Sequence, residues 1–154
     1  MFAHLNSIGL YGMDAFEVNV EADISNGLPG FDVVGLPDTA VKESRDRVRS
    51  ALKNCGFAFP MSRITVNLAP ADKRKEGPIY DLPILLAILT ASGQLSCDLS
   101  DCAMIGELSL SGEIHGIRGV LPMAIHAKEL GYHRLFVPAV NAAEGAVVEG
   151  LEVY

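Results

Sequence analysis

Several devices by which a short chain does chemistry are missing from these 154 residues. None of the five lysines follows a glycine, so no Gly-x-x-x-x-Gly-Lys-Ser/Thr run exists. A nucleotide-phosphate loop needs glycines that let backbone amides wrap the phosphate and a lysine that reaches it. No Gly-x-Gly-x-x-Gly opens a helical pattern, and no serine has the glycines of a nucleophile elbow on both sides. Cysteine is scarce and odd in number: Cys55, Cys97 and Cys102 form no Cys-x-x-Cys pair, which argues against a disulfide frame and for reduced, partly buried thiols. His4, His115, His126 and His133 are scattered without His-Glu-x-x-His spacing, so no metal site is expected. The longest apolar run, Leu82 to Leu89, is far too short to cross a bilayer. The start, MFAHLNSIGLYG, lacks the basic and apolar segments of a secretory signal. A cytoplasmic protein with no membrane partner is the expectation.

What is present suits one globular domain over residues 1–154. Hydrophobic residues make up 49% of the chain and charged ones 20%, and the length allows a core without staples. The formal charge of −7 is unevenly spread. Residues 38–76 hold nine of the twelve basic residues against five acidic ones, leaving that window at +4 and the remainder at −11. An acidic whole argues against a dedicated nucleic-acid binder but leaves room for one basic face.

The early part alternates with period two. In AFEVNVEADI, Phe16, Val18 and Val20 oppose Glu17, Asn19 and Glu21, a half-buried strand that pairs with residues 3–10 across Tyr11-Gly12. GLPGFDVVGLPD reads as a short strand from Phe31 to Leu36 between Gly-Pro signals. Asp38 caps the next helix, which runs to about Asn54 and stops at Gly56, with Val41, Val48, Leu52 and Cys55 facing the sheet. RITVNLAP, 63–70, is the cleanest strand. A charged loop follows, then a helix from about Leu82 to Ser92, apolar around its whole axis and therefore buried on most sides. CAMIGELSLSGEIHGI reads as a strand and a hairpin at Ser111-Gly112. A helix over 119–130 ends at Gly131, RLFVP is a short strand, and residues 141–145 form a weak helix or loop. The chain ends in the strand-like AVVEGLEVY without a polar tail, as a piece of a longer protein would. Strands first, then strands alternating with helices, imply an α+β fold: a mixed sheet with helices packed on one face.

One helix face carries a candidate for chemistry. At 100° per residue, Lys42, Arg45, Arg49 and Lys53 fall within about 80° of one another, beside the apolar stripe. Lys73, Arg74 and Lys75 would extend this ridge if the two regions were neighbours. Three readings stay open: a solvated face paired with Glu43 and Asp46, a line of DNA-phosphate contacts, or a subunit interface. The carboxylates Asp14, Glu17, Glu21 and Asp23 lie on or beside a period-two strand and read as a solvated face rather than an acid–base pair.

The stretches GLPGFDVVGLPDTAVKESRDRVRSALKNCGFAFP and RITVNLAPADKRKEGPIYDLPILLAILTASGQL together resemble the N-terminal domain of the ComM/YifB group of bacterial magnesium-chelatase-like AAA+ ATPases. The resemblance covers essentially the whole chain. It implies a Lon protease-like fold of the ribosomal-protein-S5 domain 2 type. KEGPIYD, 75–81, looks like the Lon active-site loop, whose nucleophilic serine directly follows Gly-Pro; that position is Ile79. GELSLSG, 106–112, resembles the hairpin before the Lon general-base lysine, and counting forward puts that lysine at about Met123. A Ser–Lys dyad needs an attacking oxygen and an amine to take its proton. Neither residue supplies one, Lys128 lies over a helical turn away, and Tyr80 and Ser111 lack a positioned base. Asp81 is left to cap the buried helix. The resemblance further implies an AAA+ motor outside this chain, with ATP and Mg²⁺ as cofactors there and none here. That motor would assemble as a homo-oligomeric, hexameric ring and drive DNA branch migration in recombination or natural transformation. This domain would serve assembly and DNA guidance, or alternatively act as a scaffold that never touches DNA.

Overall fold

A computed structural model describes all residues, 1–154. Alternation of apolar and polar side chains produces two long strands, β1 (Phe2–Tyr11) and β2 (Asp14–Ser25). They pair antiparallel from Phe2 opposite Asp23 to Tyr11 opposite Asp14, with the turn at Gly12-Met13. This is the pairing that the alternation implies, but the turn falls one residue later than Tyr11-Gly12, since Tyr11 still pairs with Asp14. β3 (Gly30–Val34) and β4 (Arg63–Ala69) extend one side, β4 antiparallel to β2 and β3 parallel to β4 at the edge. β3 is shorter than the expected Phe31–Leu36. It stops at Gly35, whose φ of +104° leaves the extended region; only glycine fits there, since a Cβ would lie 2.2 Å from the Leu68 carbonyl oxygen.

The helix expected over 39–54 is two pieces, α1 (Thr39–Lys42) and α2 (Ser44–Asn54), separated at Glu43. Asp38 caps the first as its sequence position suggests, its Oδ1 accepting the Val41 amide at 2.8 Å. Gly56, at φ +86°, lies just past the Cys55 cap that closes α2. Cys55 does not join the sheet-facing stripe. It sits in the cap, beyond the last helical residue, so the helical period no longer places it, and it is exposed. Cys97 is exposed too, so only Cys102 among the three free thiols is buried.

α3 (Asp81–Ala91) follows a single 3₁₀ turn at Pro78–Tyr80 and is buried along nine of its eleven residues, as its all-round apolar pattern requires. β5 (Cys102–Met104) then adds parallel to β1. β6 (Glu107–Leu108) and β7 (Ile114–His115) leave the sheet as a separate ribbon closed around Ser111-Gly112. α4 (Val120–Glu129), β8 (Arg134–Phe136), the short α5 (Ala142–Gly145) and β9 (Glu152–Val153) complete the chain. The strand-like C-terminal pattern shrinks to the two residues of β9. The seven-stranded sheet has the order β3-β4-β2-β1-β5-β8-β9, antiparallel between β4 and β2 and between β2 and β1, and parallel at β3–β4 and across β1, β5, β8 and β9. No helix is long and apolar enough to cross a membrane.

The mixed sheet with packed helices is the α+β, Lon-like architecture expected, but the helices lie on both faces rather than one. Neighbouring residues of a strand point to opposite sides. In β5, Cys102 and Met104 enter the large core with α2 and α3, while Ala103 enters a smaller one with Val120, Met123, Ala124 and Ala127 of α4. Leu5 and Ile8 of β1 divide the same way. An all-apolar strand such as CAMI is the mark of a sheet covered on both sides.

Candidate functional site

The Gly77-Pro78-Ile79-Tyr80-Asp81 turn is sewn to two other elements. Gly77, at φ +81°, donates its amide to Asp38 Oδ2 at 3.1 Å, so one carboxylate both caps α1 and holds the turn. Just before it, Lys75 exchanges backbone bonds of 3.0 Å with Leu36 and Asp38. On the other side the Ile79 carbonyl accepts from the Gly106 amide at 2.9 Å, and the Gly106 carbonyl accepts from Leu82 at 3.1 Å. This ties the turn to the approach to β6.

A cleft of about 330 Å³ opens beside the turn, lined by Pro78, Ile79, Glu107, Gly116, Ile117 and Arg118. None of these residues supplies a hydroxyl, thiol, imidazole or amine. Ile79 is half-buried and packs on the small core of which Met123, fully buried in α4, is a member. The two positions at which the resemblance puts a serine and a lysine therefore border one apolar cluster. Tyr80 is buried, and burial, then the charges of Asp38 and Glu76, raises its phenol far above the ordinary value, so the proton stays on. Ser111 sits at the exposed hairpin tip, its hydroxyl 2.8 Å from the Ser109 hydroxyl and its carbonyl accepting from Cys55 Sγ at 3.7 Å. Lys128 is exposed and its Nζ lies against the Gly150 turn.

Asp81 does not cap α3. It is fully buried as the first residue of that helix, and its carboxylate points to α2 and β6. Oδ2 accepts from Arg47 Nε at 2.6 Å and from the Leu108 amide at 3.0 Å; Oδ1 accepts from Arg47 Nη2 at 3.0 Å and Ser44 Oγ at 2.5 Å. Arg47 also donates to the Ala40 carbonyl at 2.8 Å. The Asp81 hydrogen bonds raise the guanidinium's pKa despite its burial. A buried carboxylate is tolerated when every lone pair is used and a cation faces it. Nothing in the sequence separates Arg47 from the other arginines of its helix except that it lies outside the basic ridge.

The seven basic candidates do not form one surface. Lys42, Arg45, Arg49 and Lys53 are all exposed on one flank of α1 and α2. Arg45 reaches the Phe31 carbonyl of edge strand β3 at 3.5 Å, and Arg49 lies 5.1 Å over the Phe59 ring. Arg49 and Lys53 line a groove of about 280 Å³ with Pro29, Phe59 and Met61. Lys73 and Arg74 are exposed elsewhere, in a cleft of about 310 Å³ with Tyr11, Asp14, Ala15 and Phe16. Lys75 belongs to neither, which corrects its place in the ridge. It is fully buried, its Nζ donates to the Pro70 carbonyl, and burial lowers its pKa. Its backbone bridge to Pro37 turns the side chain inward, where a loop sequence alone gives no sign of it. No three His, Cys, Asp or Glu side chains come together as a metal site.

Comparison with known proteins adds the following. The family model described as subunit ChlI of Mg-chelatase matches residues 20–141. Competence protein ComM of Haemophilus influenzae is 47% identical over 144 residues, 93% of this chain and 28% of that protein. The protein YifB of Escherichia coli K12, described as uncharacterized, is 46% identical over 140 residues, 90% of this chain and 28% of its own length. A Lon protease of Leptospira interrogans is 27% identical over 125 residues, 79% of this chain and 15% of the protease. The chain spans less than a third of the length of the curated relatives it matches.

Proposed function

The chain belongs to the family of the Mg-chelatase ChlI subunit, and on that premise we propose that it is the non-catalytic, Lon-like module of a ComM-like AAA+ ATPase that acts on DNA. The observation that carries the non-catalytic part is the meeting of Ile79 and Met123 at one apolar cluster. A hydroxyl activated by a neighbouring amine is what a serine peptidase of this shape requires. Ile79 and Met123 can supply neither group.

The motor, its ATP and its Mg²⁺ belong to the longer protein implied by the relatives' lengths. The residues of this chain do not fit them, since no lysine follows a glycine and no carboxylate cluster stands ready for a divalent ion. The module's part is to join subunits of a homo-oligomeric, hexameric ring in the cytoplasm and to guide DNA during branch migration, in recombination or natural transformation. Exposed Lys42, Arg45, Arg49, Lys53, Lys73 and Arg74 are the guiding cations.

A second reading, assembly without DNA contact, is favoured by the acidic remainder of the chain and by the split between the two basic groups. The deciding experiment changes Lys42, Arg45, Arg49, Lys53, Lys73 and Arg74 to alanine in the longer protein. DNA guidance predicts weaker binding and a shallower dependence on salt. Unchanged affinity and salt slope, with the ring intact by sizing, select the scaffold reading. Hydrolysis of a fluorogenic peptide by the chain alone would overturn both.

A further inference from the structure

We propose that the cleft beside the β1–β2 turn is a subsite for single-stranded nucleic acid, with Tyr11 stacking one base and Lys73 and Arg74 holding adjacent phosphates. This rests on the reading that the module contacts DNA and names where. β4 ends at Ala69, opposite Asn19, while β2 continues outward to Asp14. The hairpin therefore projects five residues, about 17 Å, past its neighbour. Tyr11 and Phe16 lie on the same face of this projection, because Tyr11 pairs with Asp14 and Gly9 with Phe16. The 70–76 loop folds against that face and closes the cleft of about 310 Å³, a size that suits a small planar group.

The two aromatic rings there have different fates. Phe16 is buried, and the Lys73 ammonium covers it at 5.0 Å from the ring centre. Tyr11 is 65% exposed with its ring uncommitted, and the turn beside it adds Met13, 81% exposed. A free aromatic face next to two cations is the arrangement that takes an unpaired base and its flanking phosphates, whereas a duplex keeps its base faces stacked within itself. The groove at Arg49 and Lys53 lacks this feature, because its ring, Phe59, is already capped by Arg49. Asp14 also lines the cleft, and Glu76 stands 3.5 Å from Arg74, so the local charge is balanced and binding is modest and salt-sensitive.

The test is fluorescence anisotropy of a labelled single-stranded oligonucleotide and its duplex with this chain, at several salt concentrations near and below 100 mM. Tyr11→Ala is expected to weaken single-strand binding at least about fivefold with little change in salt slope, and Tyr11→Phe to restore it. Lys73→Ala and Arg74→Ala are each expected to lower the slope by about 0.7. Tyr11 is exposed at a turn, so its substitution does not threaten folding. Wild-type affinity in Tyr11→Ala, equal preference for duplex, or displacement of the oligonucleotide by an equal charge of polyglutamate would overturn the proposal. If Arg49→Ala and Lys53→Ala abolish binding while Tyr11→Ala does not, this cleft is wrong and the broader DNA reading stands. If no oligonucleotide binds this chain or the longer protein, the DNA reading fails with it.

Discussion

Arg47 of α2 and Asp81 of α3, 34 positions apart, meet at 2.6 Å where both helices adjoin β6. The Leu108 amide and Ser44 hydroxyl complete the carboxylate's partners, so three elements converge on one buried charge. This pair lies at the end of the 77–81 turn, and what it supplies is position. It fixes the turn, the buried helix and the hairpin relative to one another.

Removing Arg47 leaves the fully buried Asp81 carboxylate without its cation. Arg47→Ala is expected to destabilise the fold by about 3–5 kcal/mol, measured by urea denaturation. A double change, Arg47→Met with Asp81→Leu, is expected to recover much of that loss, because neither charge then has to be desolvated.

Lys75 makes stability depend on alkaline pH. Its folded pKa is lowered by burial, against a weaker opposing pull from Asp72. Between the folded and unfolded values the unfolded chain binds more protons, so this group's contribution to stability rises with pH toward the ordinary lysine value near 10.4. The stability of Lys75→Met relative to wild type should therefore decline as pH is raised from 8 to 10. A constant difference would mean that the amine is not desolvated.

The thiols should divide two to one. Cys55 and Cys97 are exposed, while Cys102 is buried in β5, where burial, then its bond to the Asp101 carboxylate, pushes the thiol up to about 11. A thiol reagent at pH 8 is expected to label two groups quickly in the native protein and the third only after denaturant is added. Three fast labels would contradict the packing of β5.

Ile79→Ser supplies an oxygen but not the amine of a Ser–Lys dyad, so it is expected to leave a fluorogenic peptide uncut. Met123→Lys buries an amine in the small core among Val120, Ala124 and Leu135. It should cost several kcal/mol of stability, visible as a fall in the urea midpoint. Turnover by Ile79→Ser alone would reveal a proton acceptor in the cleft.

Local rules carried much of the architecture into the one-dimensional pattern. The β1–β2 pairing, though not its turn position, follows from period-two alternation, the Asp38 cap and Gly56 stop from helix-end chemistry, and the burial of α3 from apolar residues on every side. Each depends on residues within a few positions of one another. Ile79 and Met123 were legible only through the family resemblance, which supplies the positions to which their lack of a hydroxyl and an amine is referred.

Tertiary contacts decided the rest. The inward turn of Lys75 depends on a bridge to Pro37, the role of Asp81 on Arg47 and Leu108, and the placing of α4 on the second face on which side of β1 and β5 it covers. The grouping of Lys73 and Arg74 with the β1–β2 turn, and of Arg49 and Lys53 with Phe59, depends on which distant residues each loop and helix lies against. A charge in a loop reads as solvated until the fold brings partners from distant segments, because desolvation and its compensation are set by three-dimensional neighbours rather than by sequence spacing.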